Sequence, residues 1–216
     1  MGFLSKVLDL LFPPKCVFCG RVLDDADESW CDKCTESLPY TDNLGIQNGE
    51  FFDFCTSPLY YTGVVRRSVL NYKFRDASHY ADVYGIFLAD CIRDCPEVKY
   101  EIVTWVPLST RRERKRGYDQ AKLLAEATAL RLNDTAVPIL RKPHDVQAQS
   151  ELGDKAEREA NIKNAYEIIK PEIVNGKSIL LIDDVVTTGS TLEECTKVLL
   201  AAGAKKVICT TLARAE

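Results

Sequence analysis

The segment that begins at residue 178 constrains the fold more than any other part of the chain. Ser178–Ile182 reads SILLI, an uninterrupted apolar run that follows the turn pair Asn175-Gly176. Such a run predicts a buried strand, and the helical pattern of Leu192–Ala202 comes after it. Between strand and helix lie Asp183, Asp184, Val185, Val186, Thr187, Thr188, Gly189, Ser190 and Thr191. This order places a polar turn at the carboxyl end of a parallel strand, where open α/β sheets bind ligands.

The residue types of this turn suit a phosphorylated sugar. Two adjacent carboxylates, those of Asp183 and Asp184, can accept hydrogen bonds from the vicinal hydroxyls of a ribose. The run from Thr187 to Thr191 brings backbone N–H groups and hydroxyls to one concavity at a helix N-terminus, which is a ready anion site. Gly189 lets a phosphate approach the backbone closely. The alternative is an aspartate-rich helix cap with threonine turns, which would need no ligand.

Strand and helix patterns alternate along the second half of the chain. Strands are predicted at Glu101–Val106, Val137–Leu140, Ala165–Ile169 and Lys206–Leu212, and helices at Tyr118–Leu132 and Leu192–Ala202, the latter ending at Gly203. Arg141–Asn164 is polar, and we expect a long mobile loop that becomes helical late. The alternation predicts an α/β fold with a parallel sheet flanked by helices.

Two C-x-x-C pairs predict a metal module near the N-terminus. Cys16 and Cys19 form the first pair, and Cys31 and Cys34 form the second. Each pair makes a tight turn that aims two thiolates at one point, so together they predict a four-thiolate Zn²⁺ site. Four protein ligands leave no open position, which makes the site structural. The alternative is a redox dithiol pair or a chance spacing.

Composition narrows the function classes and the compartment. The net charge of −4 gives no general attraction to nucleic acid or to a membrane, so such binding would depend on a local basic patch. Nine cysteines, an odd number, indicate reduced thiols in a cytoplasmic protein rather than a disulfide framework. Met1–Phe12 is apolar at helical spacing and predicts a short amphipathic helix on the protein body, with no stable membrane insertion.

The strand and turn of residues 179–191 resemble the binding motif of the type I phosphoribosyltransferases. That motif is a hydrophobic strand, two acidic residues and T-T-G-x-T, and the match over Ile179 to Thr191 is complete. The resemblance implies that Asp183 and Asp184 hold a ribose and that Thr187 to Thr191 cradle its 5-phosphate. It implies phosphoribosyl pyrophosphate as the ligand and Mg²⁺ as its companion.

A basic cluster follows the predicted strand end at Val106-Pro107-Leu108. Five of the six residues 111–116 are cationic: Arg111, Arg112, Arg114, Lys115 and Arg116. A departing pyrophosphate needs cationic partners, so we expect a loop here in which Lys115 binds the ligand and Arg116 is the candidate catalytic residue. The alternative is a solvated charge run on the surface. His79 and His144 lack ligand spacing, and we expect both to be surface or packing residues.

Nearly the whole chain resembles the ComF/GntX family. The shared elements are the four-cysteine ribbon, Tyr61-Thr62-Gly63, Lys73 to Arg75, V-P-L, Arg116 to Gln120, R-x-x-N at Arg158 to Asn161, and D-D-V-V-T-T-G-S-T. Asp119 stands where that family more often has asparagine. The resemblance implies a helix and double zinc ribbon-like module over residues 1–55 and a phosphoribosyltransferase-like domain over residues 56–216. It also implies a link to single-stranded DNA in bacterial competence, and competence proteins as partners.

Two functional hypotheses follow. The first is an enzyme that transfers a phosphoribosyl group to an acceptor, which the sequence does not identify. The second is a non-catalytic module that binds a phosphoribosyl ligand or single-stranded DNA through the basic cluster, Lys73 and Arg75, with aromatic stacking platforms. The candidate platforms are Tyr72, Phe74 and Tyr118. We further expect few core contacts between the cysteine module and the sheet, so that the sheet would survive loss of the metal.

Overall fold

The computed structural model describes residues 13–25, 27–143 and 165–216. The expected helix over Met1–Phe12 lies outside these ranges, and so do His144 and nearly all of the expected polar loop. No helix in the described ranges is both long enough and apolar enough to span a bilayer.

Seven helices and seven strands make up the described structure. The helices are α1 (Asp32–Ser37), α2 (Gly63–Phe74), α3 (Tyr80–Arg93), α4 (Thr110–Arg116), α5 (Gln120–Arg131), α6 (Pro171–Val174) and α7 (Ser190–Ala201), with a 3₁₀ turn at Asp42–Gly45. The strands are β1 (Cys55–Thr56), β2 (Leu59–Tyr60), β3 (Ile102–Trp105), β4 (Leu140–Arg141), β5 (Glu167–Ile168), β6 (Ser178–Val186) and β7 (Lys206–Arg214).

A parallel sheet with the order β1-β7-β6-β3 forms the centre of the molecule, and β2 pairs with β7 further along the same edge as β1. β4 and β5 form a separate antiparallel pair. Alternate residues of β6 enter different cores, because successive side chains of a strand point to opposite faces. Leu180 and Ile182 pack with α2, α3 and α5, whereas Ile179 and Leu181 pack with α7. The predicted α/β fold, with a parallel sheet flanked by helices, is therefore confirmed.

The sheet extends further than the sequence pattern indicates. β6 does not end at Ile182 but continues through both aspartates, and Asp183 lies opposite Thr211 of β7. Pairing with β7 keeps the backbone of β6 extended at the positions where its side chains change from apolar to acidic. The acidic pair is thus part of a rigid strand rather than of the turn after it.

The basic cluster is a helix, and the expectation of a loop is wrong. Arginine, lysine and glutamate are good helix formers, so residues 110–116 build the two turns of α4. Gly117 ends the helix in the left-handed conformation, with φ of 87°. The cations of the last turn, Arg114 to Arg116, lie at the negative end of the helix dipole, where positive charge is favourable.

The cysteine module and the sheet share one core, which contradicts the expectation of few contacts between them. Phe18, between the two cysteines of the first pair, packs edge-on against Phe87 of α3 with ring centroids 5.6 Å apart. Tyr84 of α3 lies 6.3 Å from the same ring. The Ser68 hydroxyl of α2 donates a hydrogen bond to the backbone carbonyl of Val17. The module is therefore a packing partner of α2 and α3, two of the three helices that cover one face of the sheet.

Candidate functional site

The four cysteines of the N-terminal module converge on one point. Their Sγ atoms all lie within 4.8 Å of one another. Cys16 and Cys34 are 3.7 Å apart at Sγ, and so are Cys19 and Cys31. A tetrahedral Zn²⁺ with bonds of about 2.3 Å would hold its sulfurs about 3.8 Å apart, so the thiols fit this ion. The protein supplies all four ligands, which suits a structural role.

The acidic end of β6 lies in a cleft beside the last turn of α2. Asp184 is buried, and its carboxylate pairs with the Lys73 ammonium at 2.7 Å. Asp183 accepts a hydrogen bond from the backbone N–H of Asp184 at 2.8 Å. Burial raises the pKa of Asp183 well above its usual range, and the neighbouring Asp184 carboxylate raises it further. One carboxylate is thus neutralised by a cation, while the other holds its proton to a higher pH.

The turn from Thr187 to Thr191 faces solvent at the start of α7. The side chains of Thr187, Thr188, Ser190 and Thr191 are exposed. Gly189 adopts φ of 78°, a left-handed conformation that favours glycine. The Thr188 and Ser190 hydroxyl oxygens are 2.8 Å apart, and residues 185–192 with Asp183 line a hollow of about 30 Å³. Hydroxyls and the first amides of a twelve-residue helix therefore surround one small opening.

A cavity of about 220 Å³, hereafter the inner cavity, brings most of these groups together. Its charged and polar walls are Lys73, Ser109, Arg112, Arg116, Asp119, Gln120, Lys142, Tyr166, Asp183, Asp184 and Thr191. The acidic pair, Thr191 at the end of the turn before α7 and the candidate catalytic residue Arg116 thus border the same space. Lys115 is not among the described residues that line it.

A second cavity of about 500 Å³, hereafter the outer cavity, adjoins the first. It is lined by Lys73, Phe74, Arg111, Arg112, Lys115 and Arg116. Lys73, Arg112 and Arg116 line both cavities and form the boundary between them. The Arg116 guanidinium donates to the Gln120 side chain at 2.6 Å and lies 4.9 Å from the centre of the Phe74 ring.

Asp119 organises the wall of the inner cavity. Its carboxylate accepts hydrogen bonds from the backbone N–H of Lys122, at the start of α5, and from that of Leu108. Burial raises its pKa, since the surroundings disfavour the charged form. The two bonds end on different oxygens, Oδ2 for Leu108 and Oδ1 for Lys122, and an asparagine in the same orientation could accept only one of them. Asp119 therefore ties the segment after β3, at Leu108, to α5 through both of its carboxylate oxygens.

A segment before β1 supports the turn at Gly189 from behind. The Glu193 carboxylate, in the first turn of α7, accepts hydrogen bonds from the backbone N–H groups of Glu50 and Phe51 at 2.6 and 2.9 Å. Lys197 lies over the Phe51 ring at 4.6 Å from its centre. Phe52 is buried in the same core as α7. The N-terminal region therefore helps to hold the helix that begins directly after Gly189.

Two of the aromatic residues proposed as stacking platforms, Tyr72 and Tyr118, are packed into the protein. Tyr72 is fully buried, and its hydroxyl donates to the Gln120 carbonyl at 2.7 Å, so it offers no free ring face. Tyr118 is half-buried, and its hydroxyl donates to the Tyr72 carbonyl. Phe74 remains exposed over 64% of its surface.

Sequence reasoning missed three polar members of the inner cavity, Ser109, Lys142 and Tyr166. Lys142 and Tyr166 follow β4 and precede β5, and the Lys142 ammonium lies 3.1 Å from the Tyr166 hydroxyl. Neither residue belongs to a motif that marks it. The sequence suggests Lys73 only as part of a basic groove, and nothing in its local pattern indicates the ion pair with Asp184.

The comparisons with known proteins agree with both parts of the molecule. Residues 121–216 match the family model described as phosphoribosyl transferase domain, and residues 7–53 match that described as double zinc ribbon domain.

Curated relatives extend the likeness over most of the chain. Competence protein F of Haemophilus influenzae is 26% identical over 223 residues, covering 93% of this chain and 97% of that protein. Competence protein ComFC of Bacillus subtilis is 28% identical over 197 residues, covering 87% and 72%. The DNA utilization protein YhgH of Escherichia coli is 36% identical over 115 residues, covering 50% and 48%. The chain is therefore similar over most of its length to competence proteins F and ComFC, and it combines a match to a double zinc ribbon domain with a match to a phosphoribosyl transferase domain.

Proposed function

We propose that this protein binds phosphoribosyl pyrophosphate and transfers its phosphoribosyl group to an acceptor. The observation that carries the proposal is the inner cavity. There the acidic pair of β6 faces four cations, Lys73, Arg112, Arg116 and Lys142, and opens toward the turn that precedes α7. A ligand that carries a diol between two phosphate groups matches this arrangement. The acidic pair can accept hydrogen bonds from the diol, while the cations and the turn before α7 can bind the two phosphate groups.

Each part of the ligand has a partner in the proposal. Asp183 and Asp184 accept hydrogen bonds from the ribose hydroxyls. The 5-phosphate lies in the hollow formed by residues 187–191, where backbone N–H groups and the helix dipole favour an anion. Lys73 must share Asp184 with the sugar, and this ion pair holds the carboxylate in place before the ligand arrives.

Arg116 stabilises the pyrophosphate as it leaves. The bond from the anomeric carbon to pyrophosphate breaks with its electron pair on the leaving oxygen, so negative charge grows there in the transition state. Arg116 is held by Gln120 on one side and by the Phe74 ring on another. A cation positioned before the reaction stabilises this charge without reorganisation.

Mg²⁺ fits the donor set at the end of β6, because carboxylate oxygens are its usual protein ligands. Asp183 and Asp184 would hold it, directly or through water. When bound it would supply positive charge against the pyrophosphate.

Calorimetry with phosphoribosyl pyrophosphate tests the proposal. We expect Mg²⁺-dependent binding, and Asp183→Asn with Asp184→Asn should weaken it at least roughly tenfold, because charge-assisted hydrogen bonds are lost. Asp90→Asn with Asp94→Asn makes the same two substitutions at the end of α3, outside both cavities, and should leave affinity unchanged. Equal affinity of the wild type and the β6 variant would remove this strand end as the site.

A second candidate function is binding of single-stranded DNA, with competence proteins as partners. The outer cavity supports it, since an exposed Phe74 among five cations offers both stacking and phosphate contacts. The relatives named for competence and for DNA utilization point the same way. The nine cysteines all lie in the described ranges and form no disulfide there, which favours a cytoplasmic location for either function.

Fluorescence anisotropy with a labelled oligonucleotide tests the second candidate. If DNA is bound here, replacing Arg111 and Lys115 by glutamine should weaken binding and flatten its dependence on salt concentration. The charge-matched control replaces Lys99 and Lys205, which lie outside both cavities. Equal salt dependence for the wild type and both variants would exclude the outer cavity.

A further inference from the structure

Glu193 lies at a place where its charge opposes the proposed ligand. It belongs to the first turn of α7, directly after the turn of residues 187–191 that is assigned to the 5-phosphate. The N-terminus of a helix attracts an anion, and a carboxylate held beside that anion would weaken the attraction. Stabilisation of the helix dipole alone would account for an acidic residue here, but it requires no partner from elsewhere in the chain.

The Glu193 carboxylate has such a partner, hereafter the support segment, which comprises residues 49–53. One carboxylate oxygen, Oε1, accepts a hydrogen bond from the backbone N–H of Glu50 at 2.6 Å, and the other, Oε2, accepts one from that of Phe51 at 2.9 Å. Both bonds are charge-assisted, and together they fix the plane of the carboxylate. Glu193 is not among the described residues that line the small hollow at the turn. Its charge is therefore engaged by the support segment rather than presented to the hollow.

The support segment is itself anchored to the sheet. The Asp53 backbone N–H donates a hydrogen bond to the Val207 carbonyl of β7 at 2.9 Å. Gln47 and Cys55, on either side of the segment, exchange backbone hydrogen bonds of 3.0 and 2.8 Å. The segment therefore has a fixed position from which it can hold α7.

The support segment approaches α7 too closely for a side chain at Gly49. A Cβ atom added there would lie 2.6 Å from the Phe52 ring and 2.7 Å from Oε1 of Glu193, and both distances are too short. A Cβ atom added at Gly189 would lie 3.9 Å from the same ring, which is an ordinary contact distance. The buried Phe52 ring therefore packs between Gly49 and the turn at Gly189.

We propose that the support segment and Glu193 position the turn of residues 187–191 for the 5-phosphate, so that Glu193 strengthens binding in spite of its charge. This inference rests on the proposed function and adds a positioning residue to its phosphate subsite. The turn binds an anion only when its backbone N–H groups converge. A shift of the first turn of α7 lowers the fraction of molecules in which they do, and the apparent affinity falls by the same factor.

Glu193→Gln distinguishes position from charge, because the two predict opposite signs. Removal of a negative charge beside the anion would by itself strengthen the binding of ribose 5-phosphate. The glutamine side chain, however, can accept only one of the two bonds, and its NH₂ group faces the second N–H donor. We therefore expect ribose 5-phosphate to bind the variant roughly tenfold more weakly than the wild type, as measured by calorimetry on the full chain.

Two further variants isolate the contact from the charge. Gly49→Ala disturbs the contact from the side of the support segment without any change of charge, and it should also weaken the binding of ribose 5-phosphate. Glu194→Gln is the matched control, since it removes the same charge from the next position of α7. Glu194 pairs with Lys197 of the same helix at 2.7 Å, so this variant should not weaken binding.

Inorganic pyrophosphate separates positioning of the turn from a general loss of structure. The proposed function places pyrophosphate at the cations of the inner cavity, away from the turn of residues 187–191. Its affinity in the presence of Mg²⁺ should therefore be equal in the wild type and in all three variants.

Unchanged or tighter binding of ribose 5-phosphate by Glu193→Gln would overturn the inference, and so would an equal loss of affinity for both ligands. Wild-type binding of ribose 5-phosphate that neither Glu193→Gln nor Gly49→Ala changes would refute the inference alone and leave the proposed function standing. A wild type that binds neither ligand would refute the proposed function itself, and the inference with it.

Discussion

The four-cysteine cluster and the acidic end of β6 are both places where the chain gathers ionisable groups of one kind, yet they differ in what completes them. In the cysteine cluster the protein supplies four ligands around a point, three of them buried. At the end of β6 it supplies two carboxylates, a single ion pair to Lys73 and an open cavity. A closed ligand set stabilises the fold, whereas charged groups that line an open cavity are suited to binding a ligand.

The largest effect on stability should come from disrupting the closed four-cysteine site. We expect about one Zn²⁺ per chain, and Cys16→Ser should abolish cooperative folding of the entire described structure rather than of the ribbon alone. Structural zinc contributes about 10–16 kcal/mol in small peptides, comparable to the whole stability of a domain. Elemental analysis and thermal melts followed by circular dichroism check this. A chelator-treated protein whose sheet melts as before would show that the ribbon is dispensable.

Removing a contact between the ribbon and the helices that cover the sheet should have the second largest effect. Phe18→Ala should lower the free energy of unfolding by about 3–5 kcal/mol, because a buried ring is removed from the core shared with α3. Phe74→Ala deletes the same ring at an exposed position and should change stability by less than about 0.5 kcal/mol. Urea denaturation of both variants gives the comparison. Equal destabilisation would contradict the shared core.

At the open site beside the acidic end of β6, removal of a positive charge should lower the rate of turnover more than it lowers the stability of the fold. Arg116→Ala should reduce release of pyrophosphate by about 10²-fold with a smaller change in ligand affinity, because the leaving-group charge develops in the transition state. Lys115→Ala removes the same charge from the neighbouring position of α4, outside the inner cavity, and should have a weaker effect. Steady-state rates and calorimetry on both variants separate the two quantities. If affinity fell as much as turnover, Arg116 would be a binding residue only.

The smallest effect concerns the proton on Asp183. Its raised pKa means that the folded state keeps a proton which the unfolded state releases above about pH 4. Stability should therefore fall as pH rises from there through the raised pKa, and ligand affinity should increase over the same interval as the carboxylate ionises. Asp183→Asn should remove this slope and raise stability at neutral pH, because the amide requires no proton uptake on folding.

Thermal melts of the wild type and Asp183→Asn from about pH 4 to pH 9 check this last prediction. Glu172→Gln, on α6 outside both cavities, serves as the control. A wild type and an Asp183→Asn variant that differ by the same amount at every pH would mean that Asp183 is ionised throughout.

Local sequence patterns were sufficient to predict the central strand and the metal-binding turns, because their structure depends on residues that are close together in the chain. The apolar run of Ser178–Ile182 predicted the central strand, because an unbroken run suits a strand covered on both faces. The C-x-x-C spacing predicted the converging thiols, since each pair closes its own turn. The basic cluster had strong helix formers throughout, but its position after a strand end favoured the interpretation as a loop, and there the helix propensity of residues 110–116 decided the outcome.

What the sequence determined by itself was the chemistry of two short motifs: four thiols at metal-binding spacing, and two carboxylates before a turn of hydroxyls. Tertiary structure decided which groups face them. Lys73 reaches Asp184 because α2 packs across one face of the sheet, and Lys142 and Tyr166 reach the inner cavity because β4 and β5 pair beside it. Such contacts join residues far apart in the chain. They depend on how helices pack against β6, and no spacing within a local motif encodes that packing.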